Sequence, residues 1–119
     1  MRRDLLLLVE MIEAGTNAAL FVADADLEAL AGDRQRRDAL LWNFTVLGEA
    51  SAQLSADIKA RFSEVPWAQP ARLRNRIVHG YWSIDLEILH TTATDLLPRF
   101  VQQLRHVLDI VEAEERGEN

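Results

Sequence analysis

The sequence predicts an all-α fold: an up-and-down bundle of four to five helices in one domain that spans residues 1–119. Three observations lead to this prediction. Apolar residues recur at spacings of three and four along each long segment. No Asn-Gly hairpin signal and no sustained alternation of apolar and polar residues marks a pair of strands. The 119 residues are enough for one hydrophobic core but not for two.

The composition narrows the class of protein further. About half of the residues (49%) are apolar, which is typical of a packed soluble domain rather than of a disordered chain. The absence of cysteine excludes disulfides and thiolate metal sites and favours the cytoplasm. His90 and His106 are expected to be ordinary helix residues, because no His-Glu-x-x-His pattern or carboxylate cluster supports a metal site. The apolar run at residues 5–9 is too short for a membrane helix and lacks a following cleavage site, so we expect neither a membrane span nor a secretory signal.

The first half of the chain predicts two long helices with a short helical turn between them. The first helix extends from about residue 3 to residue 23, and its core-facing residues are predicted to be Leu5, Leu8, Val9, Ile12 and Ala19. The short turn ends at Gly32, and Asp33 is placed to cap the second long helix. The core-facing stripe of that helix continues through about residues 54–62 and consists of Leu40, Phe44, Leu47, Leu54 and Ile58.

The last third of the chain predicts a long helical segment with one interruption. Asp85 is placed to cap its beginning. Pro98 removes a backbone donor from the middle of the segment, so we expect either a kink or a restart that is capped by Asp95. The charged residues 112–119 are expected to fray at the end of the chain.

The candidate chemistry lies on a third predicted helix, which Pro66 begins and Gly80 ends. Residues 72–82 contain three arginines, an asparagine, a histidine and a tyrosine. Residues 65–84 contain no acid, although the chain has 19 acidic and 13 basic residues. A cationic window in an acidic protein predicts an anion site, and phosphate is the anion that suits it best. The net charge of −6 argues against indiscriminate nucleic-acid binding but leaves room for a local site.

Arg74, His79 and Tyr81 form the pattern Arg-x4-His-x-Tyr, and Asn75 directly follows the arginine. An arginine fork can hold a phosphodiester and stabilise the charge that develops as phosphorus becomes five-coordinate. A histidine, with an ordinary pKa of about 6.5, can take a proton from a ribose 2′-hydroxyl or return one to the leaving 5′-oxygen. Arg74 and His79 therefore suit this chemistry, Asn75 can orient the histidine or the phosphate, and the reaction needs no metal or cofactor. The alternative is that His79 is an ordinary cap or surface residue at the end of the helix.

The neighbouring residues leave alternatives open. Arg72 and Arg76 either contact an RNA backbone or are solvated and paired with acids elsewhere. Glu49 is expected to face inward and to pair with an arginine such as Arg74. Tyr81 is by default a packing residue with its phenol at the rim of the bundle.

Helix geometry limits how the motif can work in one chain. Five residues on a regular helix are about 140° apart, so Arg74 and His79 do not share a face, whereas Arg72, Arg76 and His79 do. Either the helix unwinds at Gly80 and redirects His79, or a second chain completes the site. A symmetric dimer places two copies of the motif opposite each other.

The sequence around this motif resembles the HEPN superfamily, specifically the HepT-like toxins of HepT–MNT toxin–antitoxin pairs. The resemblance is carried by Arg-Asn-Arg-Ile-Val-His-Gly-Tyr at residues 74–81, by Pro-Trp at residues 66–67, and by Ser-Ile-Asp-Leu at residues 83–86. Upstream, Leu-Gly-Glu-Ala at residues 47–50 is similar to the second long helix of the family. The resemblance therefore covers nearly the whole chain.

The resemblance implies a metal-independent endoribonuclease that acts as a homodimer, with paired motifs in a cleft between protomers. Arg74 and His79 would be the catalytic pair and Asn75 a supporting residue. The implied partner is a minimal nucleotidyltransferase antitoxin, which can attach AMP to the tyrosine at the position of Tyr81 and so block the cleft.

Two other functions agree with the same residues. The bundle could be a non-catalytic interaction module that binds a nucleotidyltransferase and presents Tyr81 to it. Alternatively, it could be a purely structural dimer, in which case replacement of His79 changes only stability. RNA cleavage that leaves 2′,3′-cyclic phosphate ends distinguishes the endoribonuclease from both alternatives.

Overall fold

The computed structural model describes residues 2–80 and 84–117. Within these residues the elements are α1 (Arg2–Val22), α2 (Leu27–Ala31), α3 (Arg34–Gln53), α4 (Ala56–Arg61), α5 (Ala68–Gly80), α6 (Leu86–Thr91), a π-helical turn (Thr92–Leu96) and α7 (Leu97–Glu115). The described part of the chain contains no strand, and the predicted all-α bundle is confirmed. Short helices between the long ones raise the number of elements above the four to five predicted.

Four long helices form the bundle around one core. α3 packs between α1 and α5, and α7 packs along α1. The centre consists of side chains that are almost fully excluded from solvent, including Leu8, Met11, Leu40, Phe44, Leu47 and Leu104. This core holds α5 against α3 and thereby positions the candidate site.

The apolar helix α1 differs in one position from its predicted packing. Leu8 and Ile12 are buried as expected, but Val9 is 44% exposed and Met11 lies in the core instead. Gly15 allows α7 to approach closely, since a Cβ atom there would lie 2.8 Å from Cγ2 of Val101. By length and composition α1 could also cross a membrane, a property that the core helix of a soluble bundle shares.

The second long helix ends earlier than the predicted stripe implies. α3 stops at Gln53, Leu54 adopts an extended conformation, and Ser55 caps α4 by accepting a hydrogen bond from the backbone N–H of Ile58 at 3.2 Å. The five predicted stripe residues are all buried, but three lie on α3, one lies on α4, and Leu54 lies between the two helices. The break is stabilised from another helix: the carboxylate of Asp4 accepts hydrogen bonds from the backbone N–H (3.0 Å) and the hydroxyl (2.8 Å) of Ser55.

Replacing Asp4 with alanine is expected to lower the free energy of unfolding by about 1–3 kcal/mol, because the backbone N–H of Ser55 loses its acceptor at a part-buried position. Urea unfolding followed by circular dichroism measures the change. Glu10→Ala is the matched control, since Glu10 is an exposed acid on the same helix. Equal stability of the two variants would show that the contact between Asp4 and Ser55 does not hold α1 to α4.

The segment before Pro98 shows how the chain accommodates a proline inside a helix. The backbone N–H of Leu97 donates to the carbonyl of Thr92, five residues back, so the turn is wider than an α-helical turn. The wide turn accommodates the proline ring, and α7 then begins with Pro98 as its second residue. The predicted cap by Asp95 is wrong, because no side chain caps the start of α7.

Side-chain contacts stabilise the other predicted helix starts and the last helix. Asp33 and Asp85 cap α3 and α6 as predicted, with carboxylate oxygens 3.1 Å and 2.9 Å from backbone nitrogens. α7 remains helical through Glu115, beyond the point where fraying was expected to begin. Near that end the guanidinium of Arg61 pairs with Glu114, joins α4 to α7, and lowers the pKa of the Glu114 carboxyl by hydrogen bonding.

Candidate active site on helix α5

Packing against α3 determines which side chains α5 presents to solvent. Ile77 is buried in the core and Leu73 packs against it, so this face of the helix is turned inward. The opposite face exposes four of the predicted site residues: Arg72, Asn75, Arg76 and His79. The rotation of α5 therefore follows from its apolar residues and places a polar, cationic face outward.

Arg74 lies at the boundary between α5 and α3. A Cβ atom on Gly48 of α3 would lie 2.3 Å from Cβ of Arg74 and 2.4 Å from the carbonyl oxygen of Pro70, so the two helices touch backbone to backbone here. The guanidinium Nη1 of Arg74 is 3.6 Å from Oε2 of Glu49. The predicted pairing of these two residues is present, but the Glu49 side chain is 53% exposed and does not face inward.

One donor of Arg74 remains unused within the described chain. Its Nε–H is buried and finds no hydrogen-bond acceptor among residues 2–80 and 84–117. Buried polar groups in folded proteins almost always have a partner, and the exceptions concentrate at functional sites. The Arg74 side chain is 27% exposed, and this accessible part can contact an anion.

The structure separates the two predicted catalytic residues rather than joining them. α5 is helical through both His79 and Gly80. The alternative in which the helix unwinds at Gly80 and redirects His79 is therefore not observed. Over a regular helix, five positions place the Arg74 and His79 side chains about 140° apart. Asn75 and His79, by contrast, are four residues apart and share the exposed face.

The predicted modification residue, Tyr81, lies outside the described residues. The two remaining histidines are described. A ring nitrogen of His90 is 2.9 Å from the carbonyl oxygen of Ala25, which agrees with its prediction as an ordinary helix residue, and His106 is exposed. Among the described residues no group of three His, Asp or Glu side chains could hold a metal ion.

A groove next to the motif was not foreseen from the sequence. It has a volume of about 450 Å³ and lies between α5 and α7, with α3, α6 and the π-helical turn completing its walls. Phe44, Leu73 and Phe100 contribute apolar lining, and Arg72, Arg76 and Arg99 contribute charge. Arg99 carries no local sequence signal, since only the packing of α7 brings it near α5.

The arginines of the groove differ from several arginines elsewhere on the protein, which are paired with acids. Arg36 contacts Asp24 at 3.0 Å, and Arg34 contacts Asp38 at 3.6 Å. Within the described residues, no ion pair or hydrogen bond engages the side chain of Arg72, Arg76 or Arg99. Of the two alternatives for Arg72 and Arg76, pairing with an acid is therefore not observed within the described chain. The charges of both side chains face solvent and the groove.

Comparison with known proteins matches residues 11–107 of the chain to the family described as Ribonuclease HepT-like. The chain is 25% identical over 110 residues to "Putative RNase MJ0127" of Methanocaldococcus jannaschii, which covers 92% of this chain and 91% of that protein. It is 29% identical over 90 residues to "Probable ribonuclease HepT" of Thermococcus cleftensis, which covers 76% of each. No solved structure matches the chain. The family match spans most of the bundle and covers residues 74–81, which carry the motif, and the chain therefore belongs to the ribonuclease HepT-like family of the HEPN superfamily.

Proposed function

We propose that this chain is a metal-independent endoribonuclease in which Arg74 and His79 are the catalytic residues and Asn75 supports them. The observation that carries the proposal is the partly exposed guanidinium of Arg74, which lies 3.6 Å from Glu49 and forms no hydrogen bond within the described chain. The exposed cationic face of the same helix supports contact with an anionic polymer. Membership of a ribonuclease family gives the same expectation for the substrate.

The proposed reaction is an internal transfer followed by loss of the 5′ side. His79 takes the proton of the ribose 2′-hydroxyl as its oxygen forms a bond to phosphorus. Arg74 stabilises the added negative charge on the five-coordinate phosphorus. The bond between phosphorus and the 5′-oxygen then breaks and protonated His79 returns a proton to that oxygen, which leaves a 2′,3′-cyclic phosphate and a 5′-hydroxyl. No step of this scheme requires a metal ion.

The direct test is cleavage of RNA by the purified protein in excess chelator, with end-group analysis of the products. Cleavage with cyclic phosphate ends is the expected result. Cleavage that stops when metal is removed would overturn the metal-independent scheme. Binding of a nucleotidyltransferase with no cleavage under any condition would instead favour a non-catalytic interaction module.

We further propose that the functional unit is a homodimer. Arg74 and His79 project about 140° apart from a helix that stays regular, so one α5 does not direct both side chains at a single phosphate. A two-fold axis beside α5 brings the Arg74 of one chain towards the His79 of its partner. In this arrangement each site draws on both chains.

Mixing two inactive variants tests the shared site. Refolding Arg74→Ala together with His79→Ala is expected to restore about a quarter of the wild-type activity, because half of the dimers are mixed and each mixed dimer has one complete site out of two. Each variant refolded alone provides the control. If every site is formed within one chain, the mixture stays as inactive as the separate variants, and this result would contradict the shared site.

The biological role that we propose is a cytoplasmic toxin neutralised by a minimal nucleotidyltransferase antitoxin. The resemblance to the HepT-like toxins implies this pairing, and the single tyrosine in the motif, Tyr81, is the proposed site of AMP attachment. AMP at this position would add bulk and negative charge beside a cationic face. Mass spectrometry of the protein after co-expression with its antitoxin, with Tyr81→Phe as control, tests the assignment.

A further inference from the structure

We propose that the groove between α5 and α7 is a nucleotide subsite, in which an RNA base enters the apolar groove while the adjoining phosphate binds the arginines at its walls. This inference rests on the proposed ribonuclease function and deepens it. In this proposal the groove selects the RNA sequence at the cleavage point, whereas Arg74 and His79 perform the chemistry.

The size and lining of the groove suit a single nucleotide. Its volume of about 450 Å³ falls within the range of about 300–1,000 Å³ that is typical of small-molecule sites. The apolar lining includes Phe44 and Phe100, which are themselves almost fully buried and therefore form a fixed floor. A flat base can displace water from such a surface, as flipped bases do in apolar pockets of enzymes that act on nucleic acids.

The charges of the groove favour an anionic occupant. Arg72 and Arg76 project from α5 and Arg99 from α7, while Glu64 is the one acid in the lining. Within the described residues these three guanidiniums have no ion pair, although the protein carries a net charge of −6. Guanidinium groups bind phosphate oxygens in a fork geometry, so a phosphate between α5 and α7 satisfies them.

Polar groups in the same groove can distinguish one base from another. Gln69 and Gln103 line it, and neither side-chain amide forms a hydrogen bond with the described chain. Each amide offers two donors and one acceptor oxygen. Thr92 donates its hydroxyl proton to the carbonyl of Ile88 at 2.7 Å, which leaves the hydroxyl oxygen as an acceptor. The groove thus combines an apolar surface, which can bury any base, with polar groups that can form hydrogen bonds to the edge of a particular base.

The position of the groove places the bound nucleotide next to the proposed reaction. Arg76 and His79 are three residues apart on a regular helix, one turn or roughly 5 Å along the axis. An RNA strand whose phosphate contacts Arg72 and Arg76 therefore continues towards His79. The base in the groove is then one nucleotide away from the bond that is cleaved.

Binding without cleavage tests the subsite directly. The probes are four 2′-O-methyl trinucleotides that differ in the central base and cannot react, because they lack the nucleophilic hydroxyl. In ¹H–¹⁵N correlation spectra, shift changes are expected at Gln69, Arg76, Arg99 and Gln103, with different affinities for the four probes. If the protein binds the probes in this way but cleaves no RNA, the subsite proposal stands and the ribonuclease proposal is rejected. Cleavage without shifts at the groove would reject the subsite alone.

Variants of α7 separate the subsite from general charge. Arg99→Glu is expected to raise the KM for RNA about tenfold with little change in kcat, and Gln103→Leu is expected to flatten the base preference at the cleavage site. Arg105→Glu is the matched control, because it makes the same change of charge and Arg105 is exposed on another face of α7. Equal effects of Arg99→Glu and Arg105→Glu would overturn the subsite. Loss of the homodimer in Arg99→Glu would also overturn it, because the groove would then bind a second copy of the chain.

Discussion

Replacing His79 with alanine is expected to lower the rate of RNA cleavage by about 100- to 10,000-fold, the usual loss when a positioned general base or acid is removed. His79 is exposed and forms no hydrogen bond or ion pair with the described chain, so its removal should leave the stability of the bundle unchanged. The loss is therefore a loss of chemistry. Initial rates on a defined RNA, with kcat and KM measured separately, give the effect.

The controls for this experiment come from the same protein. His106→Ala removes another exposed histidine, on α7, and is expected to retain full activity. Arg74→Lys keeps the charge beside Glu49 but loses the fork geometry, and it is expected to lower cleavage by about 100- to 1,000-fold. Cleavage by His79→Ala at the wild-type rate would contradict the proposed mechanism and would point to a contaminating nuclease or to other catalytic groups.

Replacing Gly48 with alanine is expected to have the largest effect on stability, with a loss of at least about 1–3 kcal/mol. The added Cβ atom would lie 2.3 Å from Cβ of Arg74 and 2.4 Å from the carbonyl oxygen of Pro70. Because these atoms belong to the backbone of α5 or are attached directly to it, no side-chain rotation relieves the contact. The helices must move apart, and Arg74 moves with α5, so cleavage activity should also fall.

Two other glycines serve as controls for the alanine substitution. Gly32→Ala is expected to be neutral or slightly stabilising, because the nearest atoms to its Cβ are 3.6 Å and 3.8 Å away and its φ angle of −86° suits any residue. Gly15→Ala is expected to cost less than Gly48→Ala, because its 2.8 Å contact is with the end of the Val101 side chain. Urea unfolding of the three variants measures the order. Equal stability of the Gly48 and Gly32 variants would show that α3 and α5 are not closely packed.

The helix caps that were predicted correctly depend on local chemistry. Asp33 and Asp85 cap helices because an acceptor lies beside the exposed N–H groups of the next turn, which is a property of a few consecutive residues. The predicted continuation of the second long helix was wrong because it depends on a distant residue. The end of α3 is stabilised by Asp4, which lies 51 positions from Ser55, and no pattern near Ser55 indicates that partner.

The sequence by itself determined the all-α class, most of the core residues, the position of Arg74, Asn75 and His79 on one helix and the separation of Arg74 from His79 around that helix. Each of these follows from helical periodicity, which depends only on the order of residues. Tertiary structure alone decided the close contact of Gly48 with α5, the unsatisfied donor of Arg74, and the groove that brings Arg99 to Arg72 and Arg76. These features arise where separate helices meet, and their geometry depends on how side chains far apart in the chain fill the space between those helices.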